Sequence, residues 1–195
     1  MKRLLLILIL TLSFQTLSKA DDIRDFEIEG ISIGDSALDY FSEYEIKKNI
    51  RKNAYKGSNG KFYDAGFKSD KYETYDKVTI AFKKNDEKYI IYSLAGLIFY
   101  GDDTVTCNSD YKKIAKDIES LFQDHKKNVR KNIKHPADKS GKSLFNGTSF
   151  LHKSSSGADV ACYTWSNKMN NEDYVSVAID SSEFGKWLDA YYHDN

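Results

Sequence analysis

Val78-Thr79-Ile80-Ala81-Phe82-Lys83, a break at Asn85-Asp86, then Tyr89-Ile90-Ile91-Tyr92-Ser93-Leu94-Ala95-Gly96-Leu97-Ile98-Phe99-Tyr100: this stretch sets the architecture. In its first half Val78, Ile80 and Phe82 alternate with Thr79, Ala81 and Lys83, the period-two pattern of a half-buried strand. Asn85-Asp86 supplies the turn. The second half is apolar on both faces, as in a central strand covered on both sides, and Gly96 marks a bulge within it. Together the halves predict an antiparallel hairpin.

Upstream, Phe26, Ile28 and Ile31 begin an apolar segment that ends at Ile33-Gly34-Asp35-Ser36. Asp35 or Ser36 suits a helix N-cap, with Leu38 and Phe41 following on one face. Ser42 and Glu45 form a second start signal, a capping box, and Ile46 and Ile50 carry a helix to about Lys52. Residues 53–73 lack a clear period and read as loop or irregular strand, with Phe62, Tyr63 and Phe67 tucked against the core.

Downstream, Asn108 or Ser109 caps a long helix. Its apolar stripe runs through Tyr111, Ile114, Ala115, Ile118, Leu121, Phe122, His125, Val129 and Ile133, at spacings of three and four. Pro136 and Gly141 end it, and residues 135–146 form a connector. Strands follow at Ser149–Lys153, at Val160–Trp165 and at the alternating Val175, Val177 and Ile179. Ser181 or Ser182 then caps a terminal helix with Phe184, Trp187, Leu188 and Tyr191 on one face. The predicted class is α+β: an antiparallel β-sheet packed by a long central helix and a C-terminal helix. One domain over 21–195 is expected; two α+β halves divided within 135–146 are the alternative.

Residues 1–20 read as a signal peptide. Lys2 and Arg3 give the positive start, Leu4 to Phe14 the short apolar run, and Ser18 and Ala20 the small residues of a cleavage site. The run falls well short of the roughly 20 residues a spanning helix needs. An uncleaved anchor is the alternative. The expected product is a soluble periplasmic or secreted bacterial protein with no transmembrane segment.

Three of the 29 basic residues, Lys2, Arg3 and Lys19, lie in the leader, so the remainder carries a small acidic excess. That argues against nucleic acid as a partner, because such proteins show a basic excess. Cys107 and Cys162 are the only cysteines, and in an oxidising compartment an even pair forms a disulfide. Two free thiols are the alternative; a redox-active pair lacks the Cys-x-x-Cys spacing.

Few residues suggest chemistry. Gly34-Asp35-Ser36 resembles the nucleophile block of GDSL esterases, which would make Ser36 a nucleophile. The family's later Gly-x-Asn-Asp and Asp-x-x-His blocks are missing, and a helix cap accounts for Asp35 and Ser36. None of His125, His135, His152 and His193 has metal-ligand spacing, so no metal and no cofactor are expected. Lys126, Lys127, Arg130, Lys131 and Lys134 read as the basic end of the long helix, either solvated or touching an anionic envelope component or a protein partner. Tyr163, Trp165, Trp187 and Tyr191 are candidates for an aromatic binding groove, or for the core between a sheet and its covering helix. Asn146-Gly147-Thr148 matches a glycosylation triplet, to which a bacterial export signal assigns no role.

Asp21 through Ser36, with Ser93-Leu94-Ala95-Gly96, Phe99-Tyr100, Cys162-Tyr163-Thr164-Trp165-Ser166, Ser182-Glu183-Phe184 and Trp187-Leu188, resembles a family of uncharacterised small exported proteins of marine alphaproteobacteria. The resemblance implies export and a shared fold, and no activity. The opening segment is more weakly similar to small outer-membrane assembly lipoproteins of the BamE type, which carry a lipidated cysteine absent here. The expected function is a non-enzymatic binding or envelope-associated protein, with an exported hydrolase using Ser36 as the alternative.

Overall fold

The computed structural model describes residue 23 and residues 26–51, 61–122 and 125–193; the expected signal peptide lies outside them. A two-residue hairpin pairs β1 (Glu27–Ile28) with β2 (Ile31–Ser32). A 3-10 turn at Ala37–Asp39 and helix α1 (Glu43–Asn49) follow. The main sheet then takes β3 (Phe62–Lys68), β4 (Lys77–Lys83) and β5 (Ile91–Gly101). Helix α2 (Thr104–Glu119) crosses to the far edge, where β6 (Lys126–Lys134) begins a meander. Strands β7 (Leu144–Leu151), β8 (Gly157–Thr164) and β9 (Asp173–Asp180) return to the centre, and α3 (Ser182–His193) closes the described chain. The sheet has seven strands, all antiparallel, in the order β3-β4-β5-β9-β8-β7-β6. This is the expected α+β class.

Register defines two faces. The inner face carries Phe67, Val78, Ile80, Phe82, Leu94, Val160, Cys162, Val175, Val177 and Ile179, all buried. The β1–β2 hairpin, the 3-10 turn and α1 cover its β3–β5 half with Ile28, Ile31, Ile33, Ala37 and Ile46. Helix α2 covers the β8–β9 half with Cys107, Tyr111 and Ala115. The Cys107–Cys162 disulfide ties that helix to β8 across a Cα–Cα distance of 5.7 Å. Closing a loop of 55 residues contributes about 4 kcal/mol in the chain-entropy account. No helix among the described residues is long and apolar enough to cross a membrane.

The start signals perform as their chemistry requires. Ser42 and Glu45 form a complete capping box at α1, and Ser36 caps the 3-10 turn by accepting the Leu38 N–H. Several predicted boundaries move. The long helix begins earlier, because Asp103 caps it through the Thr106 N–H, and Asn108 lies within its second turn. It ends at Glu119, so the basic run is not a helix end: Lys126, Lys127, Arg130, Lys131 and Lys134 all lie on β6. A bulge between Arg130 and Ile133, with Asn132 at φ 51°, explains the misreading. Val129 and Ile133 are spaced like helix neighbours, yet the extra residue turns them to opposite faces of a strand.

The irregular stretch before β4 contains the regular strand β3, and the weak strand at Ser149–Lys153 starts at Leu144 instead. Gly96 marks no bulge; an added Cβ would lie 2.4 Å from the Tyr75 ring, which occupies its place. The β4–β5 irregularity falls at Ala81/Phe82. Of the predicted connector, residues 135–143 join β6 to β7 as a hairpin, and 144–146 already belong to β7. The hub of that loop is Asp138, which accepts the Ser143 and Ser140 N–H groups and the Ser143 and Ser166 hydroxyls. Those bonds hold its carboxyl well below the usual acid range.

Candidate functional site

Strand β9 alternates buried and half-exposed residues from end to end. Its half-exposed set, Tyr174, Ser176, Ala178 and Asp180, belongs to the outer face. Of the described elements, α3 alone packs there. It rests on Phe62, Ala81 and Tyr92 through Phe184, Trp187 and Leu188. A central strand flanked by β5 and β8 thus keeps one side accessible, and β5, expected to be covered on both sides, likewise buries Ile91, Leu94 and Gly96 while Ser93, Ala95 and Leu97 stay half-exposed.

Cross-strand register arranges this face in rows. Phe99, Tyr174, Tyr163 and Phe145 form the first, spanning β5, β9, β8 and β7. Leu97, Ser176, Ala161 and Gly147 form the second; Ala95, Ala178, Asp159 and Ser149 the third. Tall rings therefore stand beside a floor of small residues. Six residues along β9, roughly 20 Å at strand rise, Asp180 marks the approach to α3. The result is a trough with an aromatic wall at one end and a helix at the other.

The wall is rigid because its rings stack on one another. Tyr174 and Tyr163 lie 4.9 Å apart and Tyr163 and Phe145 5.4 Å apart, each pair 27° from parallel, while Phe99 meets Tyr174 edge-on at 6.0 Å. Stacking consumes the ring faces, so the edges look into the trough. Trp165 and His135 extend the wall, 4.4 Å apart. Burial among the rings lowers the His135 pKa, and the buried Trp165 Nε1–H finds no acceptor among the described residues. Of the predicted groove, Tyr163 and Trp165 come together here. Trp187 does not join them: it packs 4.9 Å from Phe62 under α3. The Tyr191 side chain lies outside the described residues.

Charge enters through two carboxylates. Arg130 reaches Asp159 by crossing Gly147, where an added Cβ would sit 2.9 Å from its Nη2. The Ser149 hydroxyl donates to the same carboxylate at 2.8 Å. Burial nevertheless pushes Asp159 upward, against the opposing pull of Arg130 and Ser149. Asp180 is pushed up to about 7, first by burial and then by the neighbouring Asp159 and Asp189, against a hydrogen bond from Ser93. Its Oδ1 is buried and accepts no hydrogen bond among the described residues. This carboxyl can accept a donor from a ligand, or give a proton when it is neutral. No known protein family, curated protein or solved structure matches this chain.

Ser36 lies elsewhere, on the inner-face side. Its hydroxyl donates to the Lys88 carbonyl at 2.7 Å while accepting the Leu38 N–H. Among the described residues, no group of histidine, cysteine or acidic side chains could hold a metal ion. Asn146 bridges elements, donating to Asn108 Oδ1 and accepting the bulged Asn132 N–H, each at 2.8 Å. Sequence reading missed Asp159, Asp180 and the small-residue floor. The signal was present in Ser176, Ala178, Ser93 and Ala95: solvent-facing strand positions that carry small residues where long charged ones are ordinary.

Proposed function

We propose that the protein is an exported, non-enzymatic binding protein whose ligand lies in the trough of the outer sheet face. The observation that carries this reading is the half-exposed floor of β5 and β9, walled by stacked rings and ending at the half-buried carboxyl of Asp180. Such a site fits a compact amphipathic molecule: an apolar body against ring edges and alanines, and an N–H or O–H group at Asp180. Export rests on the tripartite pattern of residues 1–20 and on the disulfide, which persists in oxidising compartments. The resemblance to small exported proteins supports the same compartment.

The test is a thermal-shift screen of polar metabolites and saccharides against the chain lacking residues 1–20. Hits should raise the melting temperature of the wild type and fail to raise that of Ala178→Trp, whose indole fills the floor. Asp180→Asn should weaken those hits that carry a donor. Hits that act equally on Ala178→Trp would place binding elsewhere. Hydrolysis of a p-nitrophenyl acyl ester, lost in Ser36→Ala, would replace the reading with an esterase.

A further inference from the structure

The two edges of the main sheet are treated differently. The β3 edge is met by the segment after α1, through an Ile50–Ala65 bridge and the Arg51 N–H bonded to the Asp64 carbonyl. Strand β6, at the other edge, pairs with β7 alone among the described residues, and eight of its nine residues are exposed. An edge of this kind presents unpaired backbone N–H and C=O groups to an incoming strand.

Beside that edge, on the inner-face side, α2 stops short of covering β6 and β7. A cleft of about 630 Å³ remains, floored by Tyr111, Ala115, Val129 and Thr148. Its sides carry Lys112 and Lys116 from α2 and Lys127 and Lys131 from β6. Among the described residues Glu119 is the only acid lining it, and it is held by Lys127 at 2.6 Å. Lys112, Lys116 and Lys131 form no ion pair among the described residues. Lysines on an edge strand discourage aggregation by themselves, but that role does not extend to Lys112 and Lys116. These stand one helical turn apart and repel each other, at a cost to the helix of a few tenths of a kcal/mol.

We propose that β6 and this cleft receive an extended acidic peptide segment of a partner protein, added to the sheet as an eighth strand. Backbone groups of the segment pair with the β6 edge. Every second side chain points over the cleft, where carboxylates meet Lys112, Lys116 and Lys131. A peptide is favoured over a bilayer or a sulfated glycan because neither supplies a backbone that matches a strand edge. The site lies on the opposite side of the sheet from the trough and is independent of it.

Fluorescence anisotropy with the chain lacking residues 1–20 tests this. The probe is a labelled ten-residue peptide of alternating Glu and Val. Binding should be salt-sensitive and should weaken at least tenfold in Lys112→Glu/Lys116→Glu and in Lys131→Glu, whose melting temperatures verify folding. The same peptide N-methylated at alternate amides should lose at least tenfold. Absence of binding at low salt overturns the proposal. So does equal binding of the N-methylated peptide, or tighter binding of dextran sulfate or anionic vesicles than of the peptide.

Discussion

Gly147 has no side chain, and for that reason Arg130 can cross it and reach Asp159. An added Cβ would meet Ala161 Cβ at 3.2 Å as well as the guanidinium at 2.9 Å. Gly147→Val should therefore displace Arg130 and leave Asp159 half-buried without its cation. We expect a loss of about 2–4 kcal/mol, read from urea unfolding at neutral pH. Asp180 predicts a pH dependence of the opposite kind to an ion-paired acid. Its pKa rises from 3.8 to about 7 on folding, so the folded state holds the proton more tightly. Its contribution to stability is complete below pH 4 and is lost as the pH rises to about 7, where the unfolded chain has already ionised. Asp180→Asn should accordingly match the wild type at pH 4 and exceed it at pH 7.5. The gain should be on the order of 1 kcal/mol, since partial exposure screens the effect, and melting curves at the two pH values measure it.

At the scale of elements, α3 is seated by close backbone approach as well as by its aromatic face. A Cβ on Gly185 would lie 2.0 Å from the Ser155 carbonyl oxygen, a backbone atom that cannot swing away. The Ser182 hydroxyl donates to the Ser154 carbonyl in the same loop. Gly185→Ala should lift the helix from the β7–β8 turn and loosen Phe184 and Trp187 from Phe62. About 2–4 kcal/mol of stability should disappear, together with the near-ultraviolet circular dichroism of Trp187. Hydrogen exchange should locate the change in α3 and leave α2 protected. Helix α2 is anchored otherwise, by the disulfide and by the buried Tyr111 hydroxyl, which shares a 2.8 Å hydrogen bond with Thr148 on β7.

Over the whole molecule, the chain order explains why one covalent bond matters so much. Strands β3 to β5 form one meander and β6 to β9 another, and the strand pairing that joins them is β9 with β5. Helix α2 spans that junction, and Cys107–Cys162 ties it to the second meander. Replacing both cysteines by alanine should cost about 4 kcal/mol, a large part of the roughly 5–15 kcal/mol typical of a domain. The measurement is the urea midpoint of the double variant, with a dithiothreitol-treated wild type expected to shift in parallel.

Patterns that act over a few residues are legible in the sequence itself. The Ser42–Glu45 capping box, the β4–β5 hairpin, the alternation of β9 and the terminal helix all appear where local chemistry predicts them, because caps, turns and side-chain alternation involve near neighbours. Cys107 with Cys162 is legible for another reason: two cysteines allow one intramolecular pairing. The stripe of α2 continues into β6 because spacings of three and four cannot reveal that a bulge at Asn132 reverses parity. The aromatic groove divides into a wall and a helix footing because Tyr163 and Trp187 meet their neighbours only through strand order, which alternation does not encode. Residue order alone determined the central hairpin, the capped helix starts, the disulfide and the α+β class. Tertiary structure decided which sheet face stayed accessible and which carboxyl lost its water, since both depend on residues that the chain brings together from far apart.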